Sequence, residues 1–97
     1  VIVDLRSKSF NYGNFFSFEL DSNKFNGLYV PKGYAHGFQT LKNDTKLLYL
    51  HSENYFPEHE GGLNFMDPSL KIQWPISKVF SSDRDKKHPN LNNIKPL

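Results

Sequence analysis

The stretch Tyr29–Leu41, YVPKGYAHGFQTL, decides how the rest of the chain is read. Pro31 and Gly33 mark a turn, because proline lacks an N–H for a ladder and glycine accepts backbone angles that other residues avoid. The residues that follow alternate as a strand does. His36, Phe38 and Thr40 fall on one face, and Ala35, Gly37, Gln39 and Leu41 on the other. From the residues alone His36 has three readings: a metal ligand, an acid–base residue, or a buried neutral histidine hydrogen-bonded to backbone.

Outward from this stretch, turn signals separate short apolar runs. The alternation predicts strands near 1–6, 14–20, 27–30, 35–41, 46–51 and 71–74, with no long helix before residue 50. The run KLLYLH, Lys46–His51, has the strongest strand character. Short strands at this spacing imply a sandwich, jelly roll or barrel. After His51 the chain carries Pro57, Gly61, Gly62, Pro68 and Pro75 and reads as an irregular excursion. The polar tail from Ser81 allows one helical turn at SSDRDKK.

Composition narrows the function classes. The chain has 97 residues, no cysteine and a formal net charge of +2. That length makes one domain with a thin core. No apolar run approaches the roughly 20 residues of a membrane span. A secretory leader pattern is absent, so a soluble, cytoplasmic location is expected, with no membrane partner. The chain starts inside a strand pattern without Met, which reads as a fragment. Acidic and basic residues are interspersed, against the one-sided basic face of a nucleic-acid binder. The densest basic run, Arg84–His88, reads as a solvated tail. A mildly basic surface still suits a phosphorylated small molecule. A metal site needs three or four converging ligands. His51, His59 and His88 form no H-x-H or H-E-x-x-H pattern with His36, so no metal and no cofactor are expected.

Pro31, Gly33 and His36 form P-x-G-x-x-H, which resembles the second motif of the cupin superfamily. The longer string resembles the signature of the dTDP-4-dehydrorhamnose 3,5-epimerases, where a Pro-x-Gly turn leads into Ala-His-Gly-Phe. VDLRSKSFNYGNF (3–15), the segment from Leu47 to Pro75, and SSDRD (81–85) are similar to further segments of that family, in the same order. The resemblance covers almost the whole chain and is read as the C-terminal half of a family member, so residues 1–97 are taken as the C-terminal portion of one epimerase domain. It implies an all-β, cupin-like jelly roll (double-stranded β-helix), incomplete in this chain, and a homodimer. It also implies no metal, a place in dTDP-L-rhamnose or cell-surface polysaccharide biosynthesis, and a missing N-terminal half as partner.

The reaction implied is inversion at C3 and C5 of a dTDP-4-keto-6-deoxy sugar. By the resemblance, Tyr49 is the general acid, Asp85 orients the catalytic histidine, His36 hydrogen-bonds the sugar or enolate, and Tyr55 lines the pocket. His36 and Tyr49 are expected to face one cavity. Asp4 and Arg6 are expected to hold structural hydrogen bonds. The family's catalytic histidine lies in a Gly-x-His-x-Gln strand that these residues do not contain, so activity of the chain alone is not expected. Asn64 and Phe65 stand where the family commonly has Arg and Trp, which leaves the sugar open. The rival readings are a non-catalytic sugar-nucleotide-binding module and a metal-dependent cupin oxygenase.

Overall fold

The computed structural model describes all residues from Val1 to Leu97. Its centre is an open antiparallel sheet in the order β2-β1-β3. Strand β1 is Ile2–Asp4, β2 is Phe15–Phe16 and β3 is Tyr34–His36. Ile2 pairs with Phe16 on one side and His36 on the other, Val3 with Phe15 and Ala35, and Asp4 with Tyr34. The β1–β3 pairing continues one step further, since Gly37 N donates to Val1 O (3.0 Å) and Val1 N to Gly37 O (2.9 Å).

Paired residues of neighbouring strands point to the same face, so this register sorts the side chains into two sets. Val3, Leu5, Phe15 and Ala35 share one face. There Val3, Leu5 and Leu70 form the buried core, with Leu63, Ile72, Leu91 and Ile94 packed around it. Ile2, Asp4, Phe16, Tyr34 and His36 share the opposite face.

The segments that close the core are irregular and tied by side chains. Asp67, buried, accepts from Leu91 N (2.7 Å), Ser69 N (2.9 Å) and Ser69 Oγ (2.8 Å). These donors stabilise the charged carboxylate, the Leu91 N–H most of all, and hold its pKa below the ordinary value. Asn64 joins the same region through Asn90 (2.8 Å) and through Pro89 O (2.8 Å). The predicted helical turn is present as α1, Asp83–Lys86, capped by Ser82, whose Oγ accepts from Asp85 N. No helix is long and apolar enough to cross a membrane.

Several expected strands are shorter or missing, for local reasons. The stretch 14–20 keeps only Phe15–Phe16, and 35–41 only Tyr34–His36. Beyond His36, Gln39 uses its side chain instead of a ladder: Nε2 donates to Ile76 O (2.9 Å) and Oε1 accepts from Ile76 N (3.0 Å). The stretch 71–74 begins with Lys71 at φ 55°, outside the extended region. Residues 27–30 run into Pro31, and 46–51 have apolar alternation but no backbone hydrogen-bonding partner. The expected all-β, cupin-like jelly roll, incomplete in this chain, is thus met in part, as a partial, unclosed antiparallel sheet consistent with an incomplete jelly roll.

Candidate functional site

The turn before β3 sets the site. Gly33 sits at φ 90°, a conformation that glycine adopts without strain. Its carbonyl accepts from Leu5 N (2.9 Å), which docks the turn on the chain just beyond β1. The chain then enters β3, and pairing with Ile2 delivers His36 to the face away from the core. On that face Tyr49 lies among three rings. Its centroid is 6.1 Å from His36, 5.9 Å from Phe38 and 5.7 Å from His51, the last ring nearly parallel to it. Tyr49 is half-exposed, and its partial burial pushes the phenol pKa up from its usual value of 10. The neutral phenol is therefore the form present at physiological pH, able to give a proton.

Beside this cluster lies the one fully buried side chain, Asp4. Arg6 grips it with Nε on Oδ1 (3.0 Å) and Nη2 on Oδ2 (2.7 Å), while Arg6 N donates to Oδ1 (3.0 Å) and Ser9 Oγ to Oδ2 (2.6 Å). The Arg6 fork, above all, holds the Asp4 carboxyl well below the usual carboxylate range. The guanidinium carbon is 4.8 Å from the centre of the Tyr34 ring. The hydrogen bonds expected of Asp4 and Arg6 are thus present, and they border the His36 face.

Tyr55 is largely exposed. Asp85, on α1, meets Arg84 Nε at 3.4 Å and His88 Nε2 at 3.7 Å. Neither makes a hydrogen bond, ion pair or ring contact with His36 or Tyr49. His88 itself is packed on Gly62, where any side chain would collide with the imidazole. His59 stands at the end of the 3-10 turn Pro57–His59, edge-on to Phe56 at 6.0 Å. Phe65, Ile72 and Trp74 line one cavity of about 300 Å³, and Asn14, Phe16 and Lys71 a second of about 430 Å³. Neither includes His36 or Tyr49. Nowhere do three or more His, Asp or Glu side chains converge as metal ligands do.

Sequence reasoning assigned no role to His51. The signal was present: His51 is two residues from Tyr49, and strand alternation puts both on one face. Phe38 follows the same rule relative to His36.

A family model described as dTDP-4-dehydrorhamnose 3,5-epimerase matches residues 1–93. A protein of that name from Sinorhizobium fredii is 41% identical over 92 residues, which are 94% of this chain and 47% of the relative. One of the same name from Methanothermobacter thermautotrophicus is 34% identical, over 100% of this chain and 51% of its own. A "dTDP-4-dehydro-6-deoxyglucose 3-epimerase" from a Streptomyces species is 38% identical over 94% of this chain and 47% of its own. No solved structure gives a significant match. The chain spans about half the length of the curated relatives it matches. These findings correct the reading of the chain as a C-terminal half: the match runs over nearly the whole chain, residues 1–93. The missing N-terminal half, expected as a partner, is withdrawn on the same finding.

Proposed function

We propose, from the premise that this chain belongs to the dTDP-4-dehydrorhamnose 3,5-epimerase family, that it acts in epimerisation of a dTDP-4-keto-6-deoxy sugar. The relevant chemistry starts at the ketone. A 4-keto group acidifies the hydrogens on C3 and C5. Removal of one by a base leaves an enolate, and a proton returned to the other face of the ring inverts the centre. The acid must be protonated before it acts, and fixed donors must meet the enolate oxygen.

The observation that carries this reading is the placement of Tyr49 among His36, Phe38 and His51. Tyr49 is the general acid, its phenol kept neutral by partial burial. His36, fixed by its pairing opposite Ile2, hydrogen-bonds the sugar or the enolate oxygen. The aromatic faces of Phe38 and Tyr49 give the apolar side of the sugar ring a surface to lie on. Tyr55 lines the approach, and Asp85 orients an imidazole. The pathway is dTDP-L-rhamnose or related deoxysugar biosynthesis. Relatives named as 3,5-epimerases and as a 3-epimerase both leave room for inversion at one centre or two.

A second reading, a sugar-nucleotide-binding module without turnover, has one observation in its favour. Asp85 makes its contacts with Ser82, Arg84 and His88, none of which belongs to the Tyr49 cluster. The two readings part in deuterated water. Catalysis moves solvent deuterium into the positions next to the ketone of dTDP-4-keto-6-deoxyglucose, read by mass spectrometry on the full protein. Saturable binding with no deuterium uptake favours the module.

A further inference from the structure

We propose that Arg6, locked onto buried Asp4, is a positioning residue that fixes the register of β3 and so sets His36 beside Tyr49. This rests on the proposed role of the His36–Tyr49 face for its functional meaning, though not for its geometry. The β1–β3 ladder is short: Ile2, Val3 and Asp4 against His36, Ala35 and Tyr34. A short ladder specifies register weakly, and a slip of one residue turns every side chain to the other face. Here a slip would point His36 toward Leu70 and remove it from Tyr49.

The Arg6 side chain touches two successive residues of the segment that must not slip. Its methylenes lie over Gly33, where a Cβ would come within 2.5 Å of Arg6 Cγ. Its guanidinium covers the Tyr34 ring at 4.8 Å. Gly33 is therefore demanded twice, by its φ of 90° and by the arginine above it. The guanidinium cannot drift, because two of its nitrogens are held by the Asp4 carboxylate and Nη2 is also 3.2 Å from Ser9 Oγ. Asp4 is fully buried while the Arg6 side chain is about half exposed; a buried carboxylate is costly unless it is paired, and one well-attested use of a buried polar group is to fix register. Tyr34 pairs with Asp4 itself, so the residue that anchors the arginine also sits opposite the residue the arginine covers. His36 is the next position of β3 on that face.

The test is nuclear Overhauser contact between the His36 and Tyr49 rings, measured in the full protein with Arg6→Gln, Arg6→Lys and Gly33→Ala. Contact between the Val3 and Leu70 methyls reports the opposite face. Arg6→Gln and Gly33→Ala are expected to lose the His36–Tyr49 contact and keep the Val3–Leu70 contact. Arg6→Lys retains the charge without the planar fork, and should weaken the contact without abolishing it. Should Arg6→Gln fail to fold, Ser9→Ala decides: it removes the hydroxyl's bonds to Asp4, Arg6 and Asn11 N while leaving the Arg6–Asp4 fork in place, and is expected to weaken the same contact selectively. Retention of the His36–Tyr49 contact in Arg6→Gln, or in Ser9→Ala if that variant must decide, overturns the proposal. So does its loss in step with the Val3–Leu70 contact, which would make the arginine a general stabiliser. None of these readouts depends on turnover. An inactive protein that behaves this way would remove the proposed reaction and leave the positioning role standing.

Discussion

The ring of Tyr49 lies 6.1 Å from that of His36, tilted by 45°, although no backbone hydrogen bond joins their segments. His36 is held by β1; Tyr49 is held by side chains alone. Tilted aromatic pairs are worth about 0.5–1.5 kcal/mol each beyond the area they bury. Tyr49 makes two such contacts across to the β3 segment, with His36 and Phe38, and stacks on His51 within its own. Residues 46–51 should therefore stay near β3 while their amides remain open to solvent. Hydrogen exchange by NMR is expected to find Leu5 and Gly37 protected and residues 47–50 unprotected. Protection across 47–50 equal to that of Leu5 would mean a ladder that the account lacks.

Tyrosine ionisation gives a second check. Partial burial raises the Tyr49 phenol above its ordinary pKa of 10. In a spectrophotometric titration the Tyr49 phenol should give a component that ionises above the ordinary tyrosine value. Tyr49→Phe should remove that late component. Its folded pKa lies above the unfolded one, so its stabilising contribution is complete below about pH 10 and declines as pH rises further.

Asp4 makes the opposite prediction at low pH. Its folded pKa is depressed, chiefly by Arg6. The contribution of the carboxylate to stability is then complete above the ordinary aspartate pKa of about 4 and is lost as pH falls below it. Thermal unfolding followed from pH 6 to pH 2 should show a steep fall in Tm for the natural chain. Asp67, also depressed, acts in the same direction. Asp4→Asn should begin from a lower Tm at pH 6 and fall less on acidification. An unchanged slope would show that the Asp4–Arg6 pair is not what acid disrupts.

Leu70 tests the core. It is 4% exposed and packs against Val3 and Leu5. Leu70→Ala should cost about 2–5 kcal/mol, measured by urea unfolding. Truncating Leu48 or Leu50, both mostly exposed, should cost far less. Equal costs would mean that the apolar run 47–50 is packed as tightly as the core.

What could be read in the sequence was the set of faces, and what could not was the set of partners. Alternation through Ala35, His36 and Phe38 assigned each side chain to a side, because the strand period is local. The pairing of Lys46–His51 depends on a neighbour, and no local pattern names one. Lys71 at φ 55° and the Gln39–Ile76 bonds ended strands where apolar content alone predicted that they would continue. The proposed roles of Tyr49 and His36 come from the motifs that carry them, and the ring contact between the two was expected from the same motifs. His51 was passed over although its spacing from Tyr49 placed it. The contacts of Asp85 with Arg84 and His88 come from a capped helical turn, whose direction the motif did not state.

Solvent deuterium uptake by dTDP-4-keto-6-deoxyglucose, compared between the natural full protein and Tyr49→Phe, tests the central claim most directly. A positioned proton donor contributes about 10²–10⁴-fold to rate. The account predicts that Tyr49→Phe forms the inverted sugar at least about 100-fold more slowly, with substrate affinity within a few-fold of the natural protein. Inversion at an undiminished rate in Tyr49→Phe would contradict it.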